Sequence, residues 1–243
     1  MRVERGAKRI RAYLGGELVA DTTRPLLVWE RPYYPTYYFP AADVHTDLLS
    51  PDGGVAHSPS RGDGRTFTAR AGGRTVPGAA LRLDESPFDE LRDTVRLDWA
   101  SMDAWFEEDE EVFTHPRDPY TRVDILPSSR HVRVEVDGTT VAESTKPTLL
   151  FETRLPLRYY LPRTHVRMDL LTPTEEASYC PYKGRASYWS LELGGTRYED
   201  LAWSYPTPFP ESQKIAGLIA FYSDRVDLWV DGVLQRPPTS AGS

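Results

Sequence analysis

The chain is written twice, at a fixed offset of 122 residues. The stretch "GELVADTTRPLLVWE" at 16–30 lies over "GTTVAESTKPTLLFE" at 138–152, and "YYFPAADVHTDLLSP" at 37–51 lies over "YYLPRTHVRMDLLTP" at 159–173. The register runs without a gap from about residue 8 to residue 83 and takes in "HSPSRG" over "YCPYKG". Beyond it, small shifts bring "MDAWFE" over "VDLWVD". A unit this long is a domain, whereas a solenoid repeat has ~20–50 residues and cannot stand without neighbours. Two homologous domains are therefore expected, at 1–112 and 128–236, with a linker at 113–127 and a disordered tail at 237–243 ("RPPTSAGS" in its context).

Within each copy the pattern is that of strands. Val132, Val134 and Val136 alternate with Arg133 and Glu135, a period of two that turns one face to a core, and Asp137-Gly138 supplies a tight hairpin turn. Gly15-Gly16 repeats the design in the first copy. Later, Trp189, Leu191 and Leu193 share one face ahead of Gly194-Gly195, and Val226, Leu228 and Val230 alternate before Asp231-Gly232. One short helix per copy is expected. In "SPFDELRDTVRL", Ser86 sits at the cap, Pro87 in the first turn, and Phe88, Leu91 and Val95 on one stripe; "TPFPESQKIAGLIAFY" is its counterpart. The expected fold class is mainly β: two homologous antiparallel β domains, each with one short helix.

The 243 residues are 40% hydrophobic, enough for such cores. One cysteine excludes an internal disulfide and a zinc site built from cysteine pairs, so no metal or cofactor is expected. A net charge of -7 disfavours the broad basic surface of non-specific nucleic-acid binding. No run approaches the ~18 apolar residues of a membrane span, and "MRVERGAKRI" does not resemble a signal peptide, so a cytoplasmic protein without nucleic-acid or membrane partners is expected. The five carboxylates at 107–111 repel one another and read as a solvated segment, with an acidic clamp for a cation as the alternative. Trp105, Phe106, Val112 and Phe113 around them would pack on a domain surface.

The segments "YYLP", "YCPYKG" followed by "ASYWS", "AWSYP" and "IAGLIAFY" resemble the bacterial family known as domain of unknown function 427. The likeness covers almost all of the second copy, and the first resembles a diverged member. The resemblance implies a compact β domain akin to the tent-like β folds, though without their zinc-binding cysteine pairs. The family sometimes carries a nucleotidyltransferase label; the chain shows neither a Gly-rich phosphate loop nor paired Asp residues on one strand, which that chemistry would need.

Because the copies share an ancestor, their differences point to a division of tasks. Pro25 with Pro147, Glu30 with Glu152, Asp47 with Asp169 and Gly62 with Gly184 agree and read as scaffold. Against these, Cys180 faces Ser58, Tyr182 faces Ser60, Lys183 faces Arg61, Tyr188 faces Thr66, Trp203 faces Leu81, Tyr205 faces Leu83 and Arg158 faces Thr36. The aromatic and reactive groups gather in the second copy. Arg158, Tyr160, Tyr182, Lys183, Tyr188, Trp203 and Tyr205 are the candidate ligand-binding residues, for a small anionic or planar molecule. Core packing is the competing use of the aromatics, and an ion pair of Lys183 with Glu192 or Asp200 the competing use of the lysine.

Cys180 and Lys183 are also the catalytic candidates of an enzyme reading, in which the lysine favours the thiolate and so makes a nucleophile or a redox sensor. The plainer reading of Cys180 is a small buried hydrophobe. His131 and His165 would matter only if the fold brought one to the thiol. The remaining alternative is structural: a monomer whose two copies form an intramolecular pseudo-dimer or interaction module.

Overall fold

The structure, a computed structural model, describes residues 1–235; the expected tail at 237–243 lies outside the described residues. The chain divides into two compact units, Met1–Pro119 and Tyr120–Ser243. In the first, the strands are β1 (Arg2–Arg5), β2 (Ile10–Leu14), β3 (Glu17–Thr22), β4 (Leu26–Trp29), β5 (Thr36–Pro40), β6 (Leu49–Ala56), β7 (Gly64–Ala71), β8 (Arg74–Leu83), β9 (Thr94–Leu97), β10 (Ala104–Glu107) and β11 (Glu110–Glu111). In the second they are β12 (Val123–Pro127), β13 (Val132–Val136), β14 (Thr139–Ser144), β15 (Thr148–Glu152), β16 (Arg158–Tyr160), β17 (Leu171–Cys180), β18 (Gly184–Leu193), β19 (Thr196–Ser204), β20 (Ala220–Phe221), β21 (Asp227–Val230) and β22 (Val233–Gln235). The second set repeats the first strand for strand, in the same order. β12 answers to β1, so residues 123–127, read from sequence as linker, form a strand of the second unit.

Each unit has two antiparallel layers. In the first, a seven-stranded sheet β1-β4-β5-β9-β8-β7-β6 faces a four-stranded sheet β11-β10-β2-β3. In the second, the large layer is β12-β15-β16 and β17-β18-β19-β20, and the small one is β14-β13-β21-β22. The two halves of that large layer meet where Leu161 and Ile219 exchange backbone hydrogen bonds of 2.8 and 2.9 Å, the place β5 and β9 pair in the first unit.

The period of two fixes which side chains lie between the layers. From β13, Val132, Val134 and Val136 are buried there with Leu191, Leu201 and Leu228, and Ile10, Ala12 and Leu14 do the same from β2. Tight turns join the hairpins: Gly15 and Gly16 have φ of +60° and +80°, and Asp137 and Gly138 of +47° and +73°, the pair of left-handed residues that a two-residue turn between twisted strands requires.

Helical structure among the described residues is confined to short 3-10 turns. The stripe expected to make a helix after Ser86 makes only the turn Asp89–Leu91. The expected cap is not formed: the N-cap is Phe88, with no side-chain bond to the turn, and Ser86 Oγ accepts instead from Phe88 N at 3.1 Å, after which Asp93 takes a φ of +59° and the chain enters β9. There Val95, expected on the helical stripe, pairs with Phe39 and Arg82 between two strands. A vacant place in the middle of the sheet outweighs a weak helical preference in the β-branched sequence Thr94-Val95. The counterpart in the second unit is the 3-10 turn Pro210–Ile215.

The acidic segment is only partly the solvated stretch its charge suggests. Residues 107–111 close the hairpin of β10 and β11, and Glu107 is buried, its carboxylate receiving Lys8 Nζ at 2.5 Å and Tyr37 OH at 2.6 Å. Trp105 lies in the main core, stacked on Trp99 with ring centroids 4.6 Å apart. No group of three or more His, Cys, Asp and Glu could hold a metal ion, and no helix is long and apolar enough to cross a membrane, among the described residues.

Candidate functional site

The outer face of each large sheet carries a second, smaller cluster, and here the units part. Side chains two apart on a strand share a face. On the outer face of the second unit this places Leu150 with Glu152 on β15, Arg158 with Tyr160 on β16, Tyr188 on β18, Trp203 with Tyr205 from β19 onward, and Tyr222 just past β20. The same places in the first unit hold Val28 and Glu30, Thr36 and Tyr38, Thr66, Leu81 and Leu83, and Asp98 just past β9. The first unit packs its set with leucines. The second packs rings, and the rings leave a cavity of about 170 Å³ lined by Leu150, Glu152, Leu155, Arg158, Tyr160, Lys183, Tyr188, Trp203, Tyr205 and Tyr222.

Six of the seven sequence candidates line this cavity: Arg158, Tyr160, Lys183, Tyr188, Trp203 and Tyr205. Tyr182 does not. It sits in the three-residue loop between β17 and β18, where its carbonyl accepts from Ser212 Oγ at 3.1 Å and the Lys183 carbonyl accepts from Phe209 N at 3.2 Å. Thus the Pro210–Ile215 turn anchors the loop, and Gly184, with φ of +94°, ends it in a conformation that suits glycine.

Lys183 is buried and its ammonium pairs with Glu152 Oε2, not with Glu192 or Asp200. Glu192 is taken by Arg197, and Asp200 accepts from Thr174. Reading Glu152 as scaffold missed its place in the cavity wall. Tyr222 was missed because the ungapped register stops before it; it answers to Asp98 after a shift to an offset of 124, its N–H donating to the Leu201 carbonyl as that of Asp98 does to Ala79.

The rings are held by one another. Trp203 Nε1 donates to Tyr160 OH at 3.2 Å, with the two rings edge to face. Tyr222 lies against Trp203 with centroids 4.6 Å apart, and the Arg158 guanidinium sits 5.5 Å over the Trp203 ring. Arg158 also donates to Ser223 Oγ at 3.3 Å. Tyr188 OH shares a 2.6 Å hydrogen bond with Ser178 Oγ.

Burial raises the phenol pKa of Tyr160 and of Tyr205 well above the usual range. Tyr222 is pushed up to about 12, first by burial and then by its hydrogen bond with Tyr188. These hydroxyls therefore stay protonated near neutral pH, as donors. With Lys183 and Glu152 paired, Arg158 is the charge in excess.

Cys180 is half-buried at the end of β17, packed against this same cluster. The lysine expected to favour its thiolate is committed to Glu152. The histidines are engaged elsewhere: His165 Nδ1 with Ser144 Oγ at 2.8 Å, and His131 Nε2 with Glu143 at 2.7 Å. A wider open basin of about 890 Å³ lies on the first unit beside Arg65, Arg82, Asp84 and Arg92. Its charges answer one another, Arg65 and Arg82 on Asp84 and Arg92 on Asp89.

Fold and site together define a tandem of two-layered antiparallel β units in which the second unit alone replaces its leucine packing with a tyrosine- and tryptophan-lined cavity. The chain belongs to the family described as a domain of unknown function (DUF427), whose model matches residues 2–108 and again 124–232. No curated protein matches it.

Proposed function

We propose that the protein binds a small anionic, planar molecule in the cavity of its second unit. The observation that carries this reading is the gathering of Arg158, Trp203, Tyr222 and the buried phenols around one space whose net charge is positive. Flat ring walls favour a planar guest, and an arginine already stacked on tryptophan presents its remaining N–H groups to a carboxylate. At about 170 Å³ the cavity is smaller than the ~300–1,000 Å³ of sites for drug-sized ligands, so the guest is a molecule of about one ring or the end of a longer one. The first unit keeps the scaffold with Thr36 and Leu81 where the second has Arg158 and Trp203.

The test is thermal unfolding of the full chain with millimolar benzoate and related small aromatic carboxylates. A rise in Tm is expected for the wild type and is expected to vanish in Arg158→Thr, which installs the first unit's residue. Equal shifts in both proteins would remove Arg158 from the reading. No shift with any of these compounds would remove the reading itself.

A further inference from the structure

Resting on that reading, we infer that the buried end of the cavity selects a guest bearing, besides its carboxylate, a neutral group that both donates and accepts a hydrogen bond: a hydroxyl or a primary amide. The first unit shows the same constellation with its hydrogen bonds closed. Glu30 Oε1 accepts from Tyr38 OH at 2.6 Å with Arg96 at 3.7 Å, and Glu30 Oε2 accepts from Arg61 at 2.5 Å. Both carboxylate oxygens are served from within the protein.

In the second unit the constellation is open. Lys183 replaces Arg61 and serves Glu152 Oε2. Ala220 stands in the place of Arg96 and offers no side-chain donor, and Glu152 Oε1 receives none from any described residue. The Tyr160 hydroxyl, whose counterpart Tyr38 bonds Glu30, instead accepts from Trp203 and keeps its own proton unspent. Tyr205 stands where the first unit has Leu83. It is 6% exposed, and its hydroxyl has no hydrogen-bond partner among the described residues while its side chain lines the cavity.

None of these oxygens is among the buried side-chain atoms left without a partner in the described residues; they belong to side chains lining the cavity, where an acceptor at Glu152 and donors at Tyr160 and Tyr205 define a complementary group brought in from outside. A hydroxyl or an amide satisfies both kinds at once. A methyl group satisfies neither, a second carboxylate meets Glu152, and an ammonium meets Lys183. Sites built to bond a hydroxyl reject the analogue that lacks it far more strongly than apolar sites distinguish a methylene, because their own groups are left unpaired.

Titration calorimetry on the full chain tests this with 3- and 4-hydroxybenzoate against 3- and 4-methylbenzoate, which are nearly equal in size. At least one hydroxy compound is expected to bind roughly tenfold or more tighter than its methyl partner. That preference is expected to shrink in Tyr205→Phe, which removes one hydroxyl from a place where the first unit has a leucine, and in Glu152→Gln. Equal affinities within both pairs, as when an ordered water alone fills the buried end, would overturn the inference and leave the parent reading standing. So would a preference unchanged in both variants. Absence of binding by all four compounds would sink the parent reading and this inference with it.

Discussion

Lys183 shows how one side chain can be legible in type and illegible in partner. Its basic character and its place after Cys-Pro-Tyr were evident from the sequence, yet its partner is Glu152, 31 residues away on β15. Both side chains are less than a tenth exposed. Removing one member of such a pair leaves the other charge buried and alone, so Lys183→Ala is expected to cost about 3–5 kcal/mol of folding stability, read from denaturant unfolding. Lys183→Arg is expected to keep most of that stability, because Arg61 already makes this pair with Glu30 in the first unit. Five of the six lining residues found from sequence were found by difference between copies; Tyr160, which matches Tyr38, was not. Glu152 escaped because it does not differ from Glu30, although its surroundings do.

Among elements, the hairpin turns were the most legible and the helices the least. Four of the glycines read as turn residues, Gly15, Gly16, Gly194 and Gly195, all have positive φ. What the pattern does not contain is how closely a turn approaches its neighbours. Gly72 and Gly194 occupy equivalent turns with φ of +54° and +57°, but a Cβ on Gly72 would fall 1.9 Å from the Gly15 carbonyl oxygen, whereas one on Gly194 meets nothing within 4 Å. Gly194→Ala is therefore expected to cost only the left-handed penalty of about 1–2 kcal/mol. Gly72→Ala is expected to cost clearly more, since backbone must shift as well, and thermal melts of the two variants side by side would show it. The helix expected after Ser86 dissolved for a related reason: the local stripe was real, but the sheet had a place for Thr94–Leu97 between β5 and β8.

For the molecule as a whole, the buried phenols couple folding to alkaline pH. Tyr38 in the first unit and Tyr160 and Tyr205 in the second are raised by burial above the ordinary phenol value near 10, and Tyr222 to about 12. The unfolded chain gives up these protons at lower pH than the folded one. Their contribution to stability is thus complete below about pH 10 and is lost as pH climbs toward the folded values. Stability measured by denaturant at successive pH values is expected to fall from about pH 10 upward, and phenolate absorbance of the buried group to appear together with unfolding; a flat stability profile between pH 9 and 12 would contradict it.

The amino-acid sequence by itself determined that there are two units, that each is antiparallel β, and which residues of each strand share a face, because duplication and a period of two are properties of neighbours along the chain. Only the tertiary structure decided that β16 meets β20 through Leu161 and Ile219, that Glu152 and Lys183 face one another, and that Tyr222 completes a cavity while Tyr182 stays out of it. Those outcomes depend on strand order and on the reach of side chains across a shared face, and these are set by packing between segments far apart in the chain.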